Sequence, residues 1–495
     1  MQTRTIELMS VLGIAEPLID RGQIATHSTS YFDGEEIFSR TFLDLLTDSA
    51  FGAVLWTTQA DVEHVLTEAL NAAGGTVRRA TEIVSLDVRP DDVICTVRCA
   101  ALEEQVRARW VIGADGSHST VRDLLGVSRS GRDFPQRWIM ATVRLVPPMP
   151  PDEESTFYAH GKPVLYIDPG PDGWVRLVTM SLDPNFDPAT ATQEMFDNLL
   201  AGVQSPYRID QCAHVGTYFV HEHLADSFRV GNVFLAGDAA HEVTPLAGQG
   251  MNTGIQDGIN LAWKMALVAA GHAGEGLLDT YESERVLAAR QADRLSESLT
   301  DWAVSVMSDA MSETDPAEVV RKLRTDLAGL NYEQEAQVLL RYPPSPIARD
   351  WLTPAPVAAQ LYAGDRVPTK LAIELADGHA GNLADLLSER HFTTLVVDPT
   401  GTGSDTVAVV RDALGGAFGG SSVVHHLVAT EAGARSSVDG VSTIRADRSA
   451  RELLCGDVPA VVVIRPDGYI ASRIPLTELA DLLPQFLRGI SPGSA

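Results

Sequence analysis

The stretch GDAAHEVTPLAGQGMNTGIQDGINLAWKMA, residues 237–266, decides the fold of this chain. An apolar run, NVFLA at 232–236, precedes it and has the composition of a buried parallel strand. The stretch therefore predicts a strand, an acidic turn, a glycine-rich loop and a long amphipathic helix. Asp238 falls at the tip of that strand, where open parallel sheets collect their ligands. A carboxylate at this position is suited to accept hydrogen bonds from sugar or polyol hydroxyls.

The glycine-rich loop after the turn indicates a flat ligand with an anionic part. Gly248 and Gly250 allow the main chain to approach such a ligand without an intervening Cβ. Met251 and Asn252 then open the helix, whose N–H groups and dipole favour negative charge. A reduced flavin carries that charge on its pyrimidine side, so the loop predicts an isoalloxazine site. A plain strand-turn-helix connection, with glycines for tightness, fits the spacing equally well.

A second turn repeats this logic in GADGSHSTVRDLLG, residues 113–126. A strand ends at Asp115 and Gly116, and a short helix carrying Arg122 follows. Taken alone, the segment is typical of an ordinary βα turn. Its value as evidence comes from its being paired with the first turn.

Composition excludes several classes of function. The 495 residues carry a net charge of -28, which repels nucleic acid and anionic membranes. No apolar run approaches the roughly 18 residues of a membrane-spanning helix. The four cysteines are spaced unlike a metal site or a disulfide framework. We therefore expect a cytoplasmic protein without a metal, a nucleic-acid partner or a membrane partner.

The chain divides by pattern into three parts. Strands with proline-rich turns over 131–220 predict an antiparallel sheet. Residues 1–130 and 221–345 flank it and contain both glycine–acid turns, so they form one discontinuous α/β domain. A proline-rich linker precedes residues 360–495, where strands and helices alternate. The predicted class is α/β, mixed α+β overall.

These motifs resemble those of the FAD-dependent aromatic hydroxylases, the class A flavoprotein monooxygenases. GADGSHSTVRDLLG resembles their DG motif, and VFLAGDAAHEVTPLAGQGMNTGIQDGINLAWKMA resembles their GD motif. TYESERVLAARQ, residues 280–291, is similar to the segment that follows in the family. AGDRVP (363–368) and VVIRPDGYIASR (462–473) are similar to the thioredoxin-like C-terminal domain of the phenol-hydroxylase-like and aromatic polyketide hydroxylases. The resemblance thus implies a Rossmann-like FAD-binding domain, an antiparallel substrate sheet and a thioredoxin-like domain.

The resemblance also implies roles for single residues. Asp238 would bind the ribityl chain, Met251 and Asn252 would contact the isoalloxazine, and Pro245 would face its reacting side. Asp115 and Gly116 would support FAD and the pyridine nucleotide. Two further matches have plain alternatives, Gln59 as a helix N-terminal residue and Arg4 as a solvated side chain. The complete implied cofactor set is Arg4, Gln59, Asp115, Gly116, Gly237, Asp238, Pro245, Gly248, Gly250, Met251 and Asn252.

The activity implied by the resemblance is hydroxylation of a phenolic or polyketide-derived aromatic ring. NADPH or NADH would reduce FAD, and O2 would form a flavin C4a-hydroperoxide that attacks the ring. No catalytic side chain is assigned: His241 could act as a base, but a histidine at such a position is more often a structural neighbour. Candidate wall residues of the substrate sheet are its aromatics, Phe157, Tyr158, Tyr166, Trp174 and Tyr218. Whether the protein is a monomer or a homodimer is left open.

One family element is absent from this sequence. The family begins with a strand, a G-x-G-x-x-G loop and a helix, and this chain starts at the segment that normally follows. We expect a misassigned start or a truncated fragment rather than a natural protein without the unit, and FAD affinity should be reduced. A non-catalytic scaffold or small-molecule binder of the same fold is the alternative. A flavin halogenase is disfavoured, since no W-x-W-x-I-P occurs, and Cys455 is the single cysteine of 360–495, so no C-x-x-C redox motif exists there.

Overall fold

The structure is a computed structural model with mixed α and β elements. It describes residues 1–183, 185–311, 315–352, 361–398, 404–418, 422–429 and 438–491. Part of the predicted linker, 353–360, lies outside the described residues. The α-helices are α1 (Thr3–Val11), α2 (Ala15–Ile19), α3 (Gln59–Ala72), α4 (Thr120–Leu125), α5 (Gln193–Gly202), α6 (Gln249–Ala269), α7 (Gly276–Met311), α8 (Pro316–Gly329), α9 (Tyr332–Glu335), α10 (Ser404–Phe418), α11 (Arg448–Cys455) and α12 (Leu479–Ile490).

The strands form five sheets. In chain order they are β1 (Gln23–Ala25), β2 (His27–Phe32), β3 (Glu35–Thr41), β4 (Val54–Trp56), β5 (Thr81–Val88), β6 (Val93–Cys99), β7 (Leu102–Ala108), β8 (Val111–Gly113), β9 (Arg129–Val146), β10 (Glu153–Tyr158), β11 (Leu165–Pro169), β12 (Val175–Ser181), β13 (Arg208–Ala225), β14 (Arg229–Val230), β15 (Val233–Leu235), β16 (His241–Glu242), β17 (Arg349–Asp350), β18 (Ala372–Glu374), β19 (Ala380–Asn382), β20 (Phe392–Val397), β21 (Ser422–Ala429), β22 (Ser442–Ala446), β23 (Ala460–Ile464) and β24 (Ile470–Pro475).

The two glycine–acid turns leave the same edge of one small sheet. Its order is β14-β15-β8, and β15 runs parallel to β8, with Val233 opposite Val111 and Leu235 opposite Gly113. Because parallel strands end at the same edge, the turns after β8 and β15 lie side by side.

An eight-stranded, mainly antiparallel sheet carries the central part of the chain. Its order is β16-β13-β9-β12-β11-β10-β2-β3. β2 and β3, residues 27–41, join it through a parallel pairing of β2 with β10. Residues 27–41 fall in the first part of the predicted division, and their strands pair within this sheet. The alternation of apolar and polar residues predicts a strand from the local sequence. Which strand lies next to it in the sheet depends on residues far apart in the chain.

The two faces of this sheet are covered differently. α5 packs on one face through Phe196, Leu199 and Leu200. The end of α7 and α8 cover part of the opposite face through apolar residues such as Met307 and Leu323. The remainder of that second face is therefore available to line a site.

The C-terminal part forms a second eight-stranded sheet in the order β17-β24-β23-β20-β21-β22-β18-β19. Every residue of β20 and β23 is buried, as expected for central strands covered on both faces. The fold class, mixed α+β, is confirmed. The domain bounds and the thioredoxin likeness stay predictions.

Candidate functional site

The acidic turn after β15 is pressed against α6. Gly237 has a left-handed φ of +58°, and its N–H donates to the Asp257 carboxylate at 2.9 Å. A Cβ on Gly254 would lie 3.1 Å from the Gly237 Cα, so the contact is backbone to backbone. The close approach therefore favours glycine at 254, and the left-handed backbone favours glycine at 237.

Asp238 extends outward from this turn. Its side chain is exposed, and within the described ranges its carboxylate accepts no hydrogen bond. Partial enclosure raises the pKa of the Asp238 carboxyl; His241 opposes the rise, and Glu242 adds to it. An unpartnered carboxylate at a strand tip is available to a hydroxyl-bearing ligand.

The glycine loop ends at a helix start that no side chain caps. Gly248 has a φ of +61° and is the N-cap of the 21-residue α6. Asn252 is buried, and its amide accepts from the Gln2 N–H at 2.9 Å and donates to the Gly248 carbonyl at 2.6 Å. Met251 remains 38% exposed. The side chain of Asn252 thus shapes the loop, whereas Met251 and Pro245 are exposed.

The second turn is fastened to the first by a buried arginine. Asp115 accepts from the Ser119 hydroxyl and from the Val121 N–H at 3.0 Å, so it organises the start of α4. Arg122 donates to the Ala239 carbonyl at 3.1 Å and to the Ser117 carbonyl at 2.9 Å. The sequence singled out Arg122 only as a helix residue. Its bridging role needed the tertiary structure.

Two of the predicted cofactor residues lie apart from the turns. Gln59 begins α3, is exposed, and bonds Glu63 at 3.4 Å. Arg4 is 1% exposed, pairs with Glu7 at 3.0 Å and stacks on the Tyr469 ring at 4.8 Å. The solvated alternative for Arg4 is wrong, because the C-terminal hairpin covers it. Contact of either residue with FAD stays a prediction.

Behind the turn lies a buried ionic cluster that sequence reasoning missed. Asp257 bonds His241 Nε2 at 2.6 Å and Arg285 Nε at 2.6 Å. Burial raises the pKa of the Asp257 carboxyl, but His241 and Arg285 outweigh it and hold that pKa below its usual value. His241 is 1% exposed and stacks on Phe228. His241 therefore has the environment of a structural neighbour.

The apolar cluster on the second face of the central sheet reaches the glycine loop. Leu246, next to Pro245, packs in one apolar cluster with Met140, Tyr166 and Tyr218. Burial raises the pKa of the Tyr218 phenol to about 12, so this hydroxyl is protonated at neutral pH. Tyr158 belongs to the same cluster but is enclosed, so Tyr166 and Tyr218 are the partly exposed candidate aromatics of this face.

Phe157 and Trp174 have different surroundings, and Tyr158 differs in its burial. Phe157 packs on the opposite face and stacks on Tyr31 at 4.7 Å between ring centroids. Tyr158 is 1% exposed within the core. Trp174 lies beside the β11–β12 turn under the Arg144 guanidinium. Aromatic composition alone could not separate wall from core.

The chain matches a known protein family. The sequence model of a family described as "FAD binding domain" matches residues 1–296, more than half of the chain. The chain belongs to this FAD-binding family. The unpartnered Asp238, the uncapped α6 and the open space at Gly116 fit FAD as the family's cofactor.

Two curated relatives of this FAD-binding chain are monooxygenases. A flavin-dependent monooxygenase of Mycobacteroides abscessus is 32% identical over 418 residues, 80% of this chain and 79% of that protein. The 6-methylpretetramide 4-monooxygenase of Streptomyces rimosus is 35% identical over 286 residues, 57% of this chain. This second match covers 51% of that relative, about half its length.

A solved structure shares the whole fold. The flavin-dependent monooxygenase PieE, in complex with FAD and substrate, is 22% identical and has a TM-score of 0.77. The similarity covers 99% of this chain and 92% of that one. Among the residues that the structure describes, no helix combines the length and apolar character needed to cross a membrane.

Proposed function

We propose that this chain is an aromatic monooxygenase that uses FAD, NAD(P)H and O2 to hydroxylate a phenolic or polyketide-derived ring. The observation that carries the proposal is the free Asp238 carboxylate beside the uncapped start of α6. Leu246, shortly before α6, packs in the apolar cluster that contains three tyrosines of the sheet. A polyol-binding carboxylate, an anion-favouring helix start and an aromatic wall are the parts that such a reaction needs.

Each part has a separate task in the proposal. Asp238 accepts hydrogen bonds from the ribityl hydroxyls, and the α6 main chain with Met251 holds the pyrimidine side of the ring. The Asp115–Gly116 turn supports the remainder of the cofactor. When bound, FAD supplies the redox and oxygen chemistry. The wall at Tyr166 and Tyr218 orients the substrate and excludes water.

The relatives support this substrate class. The pretetramide enzyme carries a polycyclic aromatic substrate in its name, and an apolar wall with tyrosine hydroxyls suits such rings. The alternative is a non-catalytic binder of the same fold. A yellow protein that oxidises NAD(P)H faster with a phenol favours the enzyme, whereas a colourless folded protein that ignores NAD(P)H favours the binder.

The decisive variant is Asp238→Ala. It removes the one free carboxylate of the turn, so we expect the protein to lose bound flavin. Absorbance of the purified protein near the flavin bands measures occupancy. Asp210→Ala, an exposed carboxylate on β13, is the matched control and should retain flavin. Full occupancy in Asp238→Ala would contradict the assignment.

A further inference from the structure

A row of charged side chains crosses three neighbouring strands of the substrate sheet. Asp168 on β11 lies opposite Arg176 on β12. The pairing of Ser155 with Ile167 places Glu154 of β10 on the other side of Asp168. Three ionisable groups thus stand side by side on one sheet face.

The cation of this row is already engaged. Arg176 donates through Nε at 3.0 Å and Nη2 at 2.8 Å to one Asp168 oxygen. Its guanidinium also lies over the Trp56 ring, 4.9 Å from the centroid. A negatively charged ligand would therefore have to compete with Asp168 for Arg176.

Glu154 is held at one oxygen and open at the other. Trp56 Nε1 donates to Glu154 Oε1 at 2.8 Å. No donor in the described part of the chain bonds Glu154 Oε2. Burial and the neighbouring Asp168 charge raise the pKa of the Glu154 carboxyl to about 8, against the opposing effects of Trp56 and Arg40. At neutral pH this group can both donate and accept a hydrogen bond.

The row borders the aromatic wall. Tyr166 is two residues from Asp168 on the same strand and therefore on the same face. Tyr166 packs in the Leu246 cluster of the glycine loop. On its other side, Glu154 lies within electrostatic reach of Glu335, whose carbonyl accepts from Gln249 at the start of α6. The row thus lies between the sheet wall and the start of the cofactor helix.

Building on the proposed function, we propose that Glu154, Asp168 and Arg176 determine substrate specificity. They select neutral aromatic compounds that carry hydroxyl groups and exclude aromatic carboxylates. Glu154 Oε2 binds a ligand hydroxyl, while Asp168 keeps Arg176 from binding a ligand carboxylate. Discrimination of this kind combines an attractive contact with a repulsive one.

The test compares two matched ligands, 2-naphthol and 3-hydroxy-2-naphthoate, by quenching of tryptophan fluorescence at neutral pH. Wild-type protein should bind the neutral naphthol at least about tenfold more tightly. Asp168→Asn frees Arg176, so affinity for the carboxylate should rise about tenfold with little change for the naphthol. Asp210→Asn on the same sheet is the control and should leave the ratio unchanged.

A second pair of variants tests Glu154 separately. Glu154→Ala should weaken 2-naphthol about tenfold, whereas Glu154→Gln, which keeps donor and acceptor atoms, should stay within about threefold of wild type. This pair remains informative if Asp168→Asn fails to fold. Equal wild-type affinity for the two ligands, or equal loss in both Glu154 variants, would overturn the specificity assignment. Absence of any naphthol binding by flavin-loaded protein would instead refute the proposed function.

Discussion

Asp257 is the residue on which the cofactor turn depends. Its two oxygens serve the Gly237 N–H, His241 and Arg285. The side chain has no exposed surface, so water cannot replace a lost partner. Removing the charge would leave the Arg285 guanidinium buried without its carboxylate. That loss costs more free energy of unfolding than the intact pair contributes.

We predict that Asp257→Asn lowers the free energy of unfolding by about 3–5 kcal/mol. Urea denaturation followed by circular dichroism measures the loss. The control is Asp279→Asn, which breaks a 2.7 Å pair with Arg229 whose aspartate is 75% exposed; there the cost should stay below about 1 kcal/mol. Similar losses of unfolding free energy in both variants would show that burial does not make the Asp257–Arg285 pair more stabilising than the exposed pair.

The pH dependence of this effect has a definite sign. The pKa of Asp257 is lowered in the folded state, with burial opposing the two cations. Its contribution is therefore present above the ordinary value of 3.8 and is lost as pH falls through the lowered pKa. The stability difference between wild type and Asp257→Asn should narrow on acidification.

At the scale of the element, α6 serves both as core helix and as support for the acidic turn. Two glycines on this helix have opposite surroundings. A Cβ on Gly254 would lie 3.1 Å from Gly237 Cα, whereas a Cβ on Gly258 would meet nothing within 4 Å. Substituting alanine for glycine at each of the two positions therefore separates the effect of helix propensity from the effect of packing.

We predict that Gly258→Ala raises the free energy of unfolding by about 0.5–1 kcal/mol, through helix propensity alone. Gly254→Ala has the same propensity gain but displaces the Gly237 turn, so it should be less stable than Gly258→Ala by at least about 1 kcal/mol. It should also retain less flavin. Thermal unfolding and flavin absorbance of the two variants provide the measurement, and equal behaviour would contradict the close approach.

At the scale of the whole molecule, the C-terminal part shares its core and its charges with the N-terminal elements. Trp263 of α6 packs edge-on against Phe392 of β20 at 5.7 Å between ring centroids. Arg465 binds both oxygens of Glu284, which also pairs with Lys264 at 2.8 Å. Arg366 binds Glu7 at 2.6 Å. These contacts make the C-terminal part a structural support of α1, α6 and α7.

We predict that Arg366→Ala lowers the free energy of unfolding by about 3–5 kcal/mol, because it leaves Glu7 buried with reduced compensation. Arg390→Ala, which removes an 80% exposed side chain, should cost less than about 1 kcal/mol. Urea unfolding followed by both fluorescence and circular dichroism measures each. A negligible cost in Arg366→Ala would mean that the Arg366–Glu7 pair does not help to hold the two parts together.

Acid should weaken this junction in a defined range. Burial raises the pKa of Glu7, but Arg366 and Arg4 outweigh it and lower that pKa to about 2. The stabilisation is present above 4.5 and is lost as pH falls through about 2. The acid-dependent loss should be smaller in Arg366→Ala, since its main cause has been removed.

The sequence by itself determined the local elements and the family. Neighbouring residues were enough to predict the strand, Gly–Asp turn, glycine loop and helix at 232–269. The reason is that glycine, helix-start and apolar patterns act over a few positions. The resemblance of the same segments to flavoprotein hydroxylases agrees with the family to which the chain belongs.

Only the tertiary structure decided which distant groups meet. It brought β2 and β3 into the central sheet, placed Arg122 between the two turns and buried Arg4 against Tyr469. It also separated Tyr166 from Phe157 by sheet face and set Glu154 beside Asp168. The reason is physical. Helices and strands arise from short-range backbone preferences. A buried charge, by contrast, must be paired because leaving it unpaired has a high desolvation cost, and its partner can come from any part of the chain.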